Sequence, residues 1–358
     1  MKIVLIDTSV PINSRNEKIL RSFNKYFPDC ELHLISWARD GDKNNPYDTE
    51  KWMSHIYVKR SPLGKRLIKA VNIFGFARYL NCIIRKISPD MIIASHWDTL
   101  LSITESNKKN RIIVYENIDM PDMTGPAGWC IRNAEIKKAK KAKIMICASR
   151  FFVEQYPIDI NWAILENKST LFFQNETYRT HKPLHVSFVG RIRNLPILKN
   201  LVCALKNDSR FFLSFHGDGE DLDALKAFSS DCENVCFTGR YQYEDVLDFY
   251  KETDVIWAAY PNKSVNVKYA ISNKYHESLL TGVPGIFSEN TSLGEYVVNN
   301  GLGFTVNPYE ITSIRLMIES LYINNNLLQS AHMSLLEHNK SETTWDKDFV
   351  AIYSEILQ

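Results

Sequence analysis

The sequence predicts an α/β protein of two domains, each built on its own parallel sheet, and three observations carry that expectation. The chain has 358 residues, and single cores seldom grow past about 250 to 300 residues. Short apolar runs of strand length alternate with longer segments of helical period, the pattern of successive strand–helix–strand units. A polar stretch at 174–182 interrupts this alternation, which then begins again.

In the first half, strands are expected at 2–6, 31–36, 91–94, 112–115 and 143–147, with short edge strands at 160–165 and 169–173. Helices fill 16–26, 65–86 and 129–141. After the linker, strands are expected at 185–189, 212–216, 235–237, 255–259, 285–287 and 303–306. Helices near 196–206, 221–228, 243–251, 274–280, 292–299 and 309–324 alternate with them. A last helix at 344–357 follows the polar stretch 337–343, and its Trp345, Phe349, Ile352, Tyr353 and Ile356 form one apolar face. The expected organisation is an N-terminal domain over 1–178, a second domain over 183–340 and a final helix over 341–358.

Composition excludes several classes. A chain that is 45% hydrophobic and 12% aromatic can bury a core, so disorder is not expected. No apolar run approaches the roughly 18 residues of a spanning helix. The opening MKIVLID reads as a first strand, because it turns polar too soon for a signal peptide. Seven cysteines, scattered and without a Cys-x-x-Cys pair, read as core thiols in a reducing compartment.

The net charge of +2 conceals a division. Residues 1–180 carry 28 Lys and Arg against 19 Asp and Glu, whereas 181–358 carry 15 against 22. Lys59, Arg60, Lys65, Arg66, Lys69, Arg78, Arg85 and Lys86 crowd into 59–89 with no acid among them and with Ile73, Phe74 and Phe76 interleaved. Lys137, Lys138, Lys140, Lys141 and Lys143 add to the same field. This profile fits a helix lying on an anionic membrane surface, where each cation contributes on the order of 1 kcal/mol. An ordinary crossover helix with a lysine-rich solvent face is the plainer alternative. No helix-turn-helix, zinc knuckle or RNP-like aromatic pattern accompanies the charge, so no nucleic-acid partner is expected.

The chemistry concentrates in the second half. Ser272 or Asn273 can cap a helix that begins near Lys274, leaving backbone N–H groups and the positive dipole end aimed outward. A diphosphate suits that place, with Lys274 adding charge. Glu277, one turn on, offers a carboxylate to the two hydroxyls of a ribose. Gly282 and Pro284 then end the helix. Taken alone, this pattern favours a capped surface helix with a solvated Lys and Glu. Asp221-x-Asp223 has the look of a metal-binding pair but lies in an expected helix, where residues two apart diverge. No metal is expected there.

Four segments in order, VSFVGRI (186–192), LSFHGDGEDLDAL (213–225), VCFTGRYQYEDVLDFYKETDVIWAAY (235–260) and NKYHESLLTGVPGIFSE (273–289), running on into GLGFTV (301–306), resemble the nucleotide-binding half of GT-B glycosyltransferases. The closest likeness is to the large bacterial polysaccharide (capsule and O-antigen) family. That resemblance implies two Rossmann-like domains facing a cleft, with the C-terminal helix crossing back to the first. It implies a nucleoside-diphosphate sugar, UDP before GDP, held by Gly190, Arg191, Gly239, Arg240, Tyr241, Ser272, Asn273, Lys274 and Glu277, with further donor contacts from Lys199 and Lys268. Two departures stand out. Tyr269 replaces the family's second glutamate, and Ile118 replaces the histidine of its His-Asp pair. Candidates for the reacting centre are then Asp119, Glu116 and His96, after the expected strands at 112–115 and 91–94, with Asp7, Ser9 and Asn13 bordering the same place.

The activity so implied is a metal-independent hexosyl transfer, with no cofactor, to a membrane-linked or oligosaccharide acceptor in bacterial surface polysaccharide synthesis. The protein would be cytoplasmic, peripheral on the inner face of the cell membrane. A nucleotide-sugar epimerase of the same fold, or a non-catalytic nucleotide-binding subunit of a glycan-assembly complex, are the rival readings.

Overall fold

The computed structural model describes residues 1–42, 44–61, 66–122, 125–171, 173 and 180–358. Lys65 and most of the expected linker at 174–182 lie outside the described residues, as do the side chains of Arg66 and Lys69. The chain divides into two compact units: Met1–Asn167 with Trp345–Gln358, and Lys168–Thr344.

Unit 1 holds seven strands: β1 (Lys2–Ile6), β2 (Glu31–Ala38), β3 (Met53–Val58), β4 (Met91–Ser95), β5 (Ile112–Asn117), β6 (Ile144–Cys147) and β7 (Trp162–Ile164). All pair in parallel, in the order β3-β2-β1-β4-β5-β6-β7. The central strands are buried on both faces, so they read as continuous apolar runs and were legible as such. The edge strand β3, MSHIYV, is half-buried and polar enough to escape a hydrophobicity reading. The stretch 169–173, where described, forms no strand.

Unit 2 holds β8 (Leu184–Val189), β9 (Phe211–His216), β10 (Val235–Gly239), β11 (Val255–Ala258), β12 (Gly285–Ser288) and β13 (Gly303–Val306), again all parallel. Their order, β10-β9-β8-β11-β12-β13, is the doubly wound arrangement, which reverses direction between β8 and β11. Ligands of such sheets bind outside the carboxyl ends of the strands at that reversal. The polar stretch 337–343, expected to separate the last helix from this unit, is largely the end of a helix, Asn325–Ser341. Its buried face is carried by Leu328, Ala331, His332 and Leu335, and its final turn is polar because it faces solvent, where Lys340 pairs with Glu337.

The C-terminal helix Trp345–Leu357 belongs to unit 1. Trp345, Phe349, Tyr353 and Ile356 are buried in the core that also contains Ile19, Phe23 and Leu34. Phe23 meets the rings of Tyr353 and Phe349 edge-on, at centroid distances of 4.7 and 5.1 Å. Phe349→Ala should therefore lower unit 1 stability by about 3–5 kcal/mol. Hydrogen exchange should show lost protection in β1 and β5 and none lost in β8 or β11.

Candidate functional site

In unit 2 the carboxyl ends of β8 and β11 carry a built site. The helix Asn273–Thr281 starts beside them, and Ser272 caps it, its Oγ accepting from the Lys274 N–H at 3.3 Å. The helix stops at Gly282, whose φ of +73° suits a residue without a Cβ. Of the residues expected to meet a nucleotide, three lie on this helix: Asn273 is exposed, while Lys274 at 7% and Glu277 at 8% exposure are buried.

The Lys274 ammonium reaches the end of β8, where a Cβ on Gly190 would sit 3.0 Å from Nζ. It lies over the rings of Phe188 at 5.4 Å and Tyr260 at 6.0 Å. Burial works against its charge, yet Tyr260, Glu277 and Tyr241 around it hold its pKa above that of an ordinary lysine. No carboxylate lies in ion-pair contact with it among the described residues. Glu277 accepts a hydrogen bond from the Tyr250 hydroxyl at 2.6 Å on Oε2, while Oε1 has no partner among the described residues. Burial, then Glu277 itself, push the Tyr250 phenol far above its usual pKa, so it stays a donor.

The turn after β9 sets the position of Gly190. Gly190 N–H donates to the His216 carbonyl at 2.8 Å, and Ile192 N–H to that of Asp218 at 2.9 Å. A Cβ on Gly217 would fall 1.8 Å from the Gly190 carbonyl oxygen. The two glycines of His216–Gly219 thus let two loops touch backbone to backbone, and Gly190 itself adopts φ +134°. His216 is stacked on Phe249 at 4.1 Å, and Tyr241 meets the same ring edge-on at 5.2 Å. Burial pushes the His216 imidazole down to about 4, so it is neutral at pH 7. Gly239, with φ +78°, has open space where a Cβ would be, and Arg240 beside it is exposed.

Other expected contacts sit elsewhere. Arg191 follows Gly190 but is exposed and paired with Glu220 at 2.8 Å. Lys199 is not brought to Lys274; its helix, Leu195–Leu205, turns that face toward Phe228, whose ring its ammonium covers at 4.6 Å. Lys268, on the short helix Val265–Tyr269, is exposed and lies near the Tyr269 ring. Asp221 Oδ2 accepts from Leu195 N–H at 2.9 Å, an ordinary structural bond. Tyr250, Tyr260 and His216 were missed in the sequence, because Tyr250 lies 27 residues from the glutamate it serves and no local spacing relates them.

In unit 1 the carboxyl ends of β4 and β5 bring His96 and Asp119 together, with Nδ1 3.9 Å from Oδ2 and side-chain exposures of 23% and 51%. His96 holds φ +72°. The strand next to β5 thus places a histidine, His96, beside Asp119. Glu116 is different. It is fully buried, bound by Arg15 Nε and Nη2 at 3.2 and 2.8 Å and by the Tyr353 hydroxyl at 3.0 Å. The expectation that it could serve as a base is corrected: its charge belongs to a buried ion pair inside unit 1. Asp7 is likewise consumed, accepting from Ser9, Asn13 and Asn16 to shape the loop after β1.

Among the described residues, no helix is long and apolar enough to cross a membrane, and no group of three or more His, Cys, Asp or Glu side chains is placed to hold a metal ion. No family model and no curated protein matches the sequence. Solved structures do match, over nearly the full length. Sucrose-phosphate synthase from Thermosynechococcus elongatus superposes with a TM-score of 0.75 at 13% identity, covering 99% of this chain and 98% of that one. Anabaena HepE in complex with UDP and glucose gives 0.72 at 13% identity, covering 100% of both chains. The lipopolysaccharide outer core galactosyltransferase WaaB gives 0.65 at 17% identity, covering 99% of this chain and all of that one. The chain accordingly has the GT-B fold, two Rossmann-like units with the C-terminal helix returned to the first.

Proposed function

We propose that the chain is a glycosyltransferase that takes a sugar from a nucleoside-diphosphate sugar bound by unit 2, UDP before GDP. The observation that carries this reading is the buried Lys274 ammonium at the Gly190 turn, one helical turn from the buried Glu277. A cation held there with no carboxylate in direct contact suits a diphosphate, and the open oxygen of Glu277 suits a ribose diol. Solved structures of this fold include HepE with UDP-glucose, which supports UDP as the nucleotide.

In the reaction, an acceptor hydroxyl forms a new bond to the anomeric carbon as the bond from that carbon to the diphosphate oxygen breaks. The electron pair of the broken bond goes to the diphosphate. Lys274 and the amides opening the helix stabilise that charge, so the reading assigns this work to the chain's own groups rather than to a metal. The acceptor proton passes to Asp119, which His96 orients. The acceptor is a membrane-linked or oligosaccharide glycan of a bacterial surface polysaccharide, and unit 1 meets the inner face of the membrane. Supporting this, the helix Arg66–Ile87 exposes Val71 at 71% and Phe74 at 76% on the face that carries Arg78 and Arg85, and Trp129 is 70% exposed on the helix Gly125–Ala139.

Three outcomes follow. Glu277→Ala should weaken UDP binding by about 1–3 kcal/mol in calorimetry while the chain stays folded, at a lower melting temperature because the buried Tyr250 hydroxyl loses its acceptor; unchanged affinity would sink the site. Asp119→Asn should lower transfer by roughly 10²–10⁴-fold at unchanged UDP affinity, read in a coupled assay with and without acceptor. Conversion of the donor sugar without acceptor would instead indicate an epimerase. Phe74→Ala with Trp129→Ala should reduce co-flotation with anionic vesicles and leave UDP affinity unaltered.

A further inference from the structure

Unit 1 carries a second cationic assembly, at the opposite edge of its sheet from His96 and Asp119. The amino ends of β5 and β6, the helix Glu105–Lys108 and the turn after the helix Gly125–Ala139 border an open surface cavity of about 550 Å³. Lys108, Lys109, Arg111, Lys141 and Lys143 line it, and Glu105 is the sole acid among the lining residues described. The six residues of β5 separate the two edges by about 16–20 Å, so this cavity is not part of the His96–Asp119 place.

Its charges are only partly neutralised, with Lys108 and Arg111 half-buried and Lys109, Lys141 and Lys143 exposed. Glu105 is shared between Lys108 at 3.6 Å and Lys141 at 3.5 Å. Lys109 and Lys143 form no ion pair among the described residues. Arg111 is fixed by the carbonyl oxygens of Pro89 and Asn107, both at 3.1 Å, which orient a guanidinium without cancelling its charge. Behind the cavity, Lys138 donates to the carbonyls of Leu101 and Ile103 at 2.9 and 2.8 Å. Burial, then the adjacent Lys108 ammonium, pull Lys138 down to about 8, and burial lowers Lys108 as well. Lys108 and Lys138 pressed together, with Lys138 and Arg111 tied to neutral oxygens, form an electrostatically incomplete group beside the exposed Lys109 and Lys143. An anion in the cavity would complete it.

The volume suits a small ligand, and the surplus of cations suits more than one negative charge. Ile112, Ile113 and Ala142 complete the wall. No aromatic ring lines it among the described residues, which gives no platform there on which a base of single-stranded nucleic acid would stack. We propose that this cavity binds a phosphomonoester or diphosphate, presented either as a free anion or as a lipid headgroup, at a site separate from the one in unit 2.

The test uses the full chain at low ionic strength, with sodium pyrophosphate in calorimetry and with phosphatidylcholine vesicles, plain or carrying phosphatidic acid, in sedimentation. Lys109→Glu with Lys143→Glu alters the cavity. Lys137→Glu with Lys140→Glu is a charge-matched control outside it, and Lys274→Ala removes the unit 2 cation. Pyrophosphate binding that survives Lys274→Ala and the control but falls at least about tenfold in the cavity variant supports a free anion. Vesicle binding that needs phosphatidic acid and shows the same variant pattern, without pyrophosphate binding, supports a headgroup. Binding of neither probe, binding lost only in Lys274→Ala, or equal losses in the cavity variant and its control would each overturn the proposal.

Discussion

Unit 2 depends on a lysine kept charged out of water. An ammonium that is 7% exposed has lost most of its hydration, and burying it alone would be costly. What keeps it charged is a ring of tyrosines, a glutamate one turn away and two aromatic faces. None of these consumes the charge as a direct carboxylate pair would. The approach of Lys274 to Gly190 demands that the loop after β8 lie where it does. That loop is held by backbone contacts to the turn after β9, which only glycine at 217 permits. The doubly wound sheet, the glycine turns and the capped helix are thus parts of one arrangement whose outcome is a positive charge facing the carboxyl ends of the strands.

Unit 1 uses a buried charge for the opposite purpose. Arg15, 4% exposed, and Glu116, fully buried, satisfy one another, and Tyr353 adds its hydroxyl. Removing one partner of such a pair leaves an uncompensated charge, which costs several times more than an exposed pair is worth. The pair joins the helix Ser14–Tyr26, β5 and the C-terminal helix. A residue that looks like a reactive acid at a strand end is therefore a fastening, whereas Asp119, three residues on, lies half-exposed beside His96.

Much of the core was legible because parallel strands buried on both faces are continuous apolar runs: β1, β4, β5, β6 and β13 lie within a residue or two of their expected bounds. The edge strand β3 was not, since a half-buried strand pairs through its backbone and needs no apolar signature. The helix Asn325–Ser341 was hidden by polarity in its last turn, where one face looks into solvent. The cap at Ser272 and the helix that carries Lys274 and Glu277 were legible from the local pattern, whereas their reading as nucleotide contacts came from the resemblance. Tyr250 and the stacking of His216 on Phe249 were not legible, since they depend on strands and helices meeting across tens of residues.

The sequence by itself determined the two parallel sheets, the helix whose start and stop are written in Ser272 and Gly282, and the uneven division of charge between the halves. Those features are local, set by periodicity, capping and composition. Only the tertiary structure decided which charges are spent and which remain available. It withdrew Glu116 into an ion pair, set His96 beside Asp119, turned Lys199 onto Phe228 and buried Lys274 against Gly190. The reason is physical: a charge is defined by the dielectric and the partners around it, and those are supplied by residues distant in the chain.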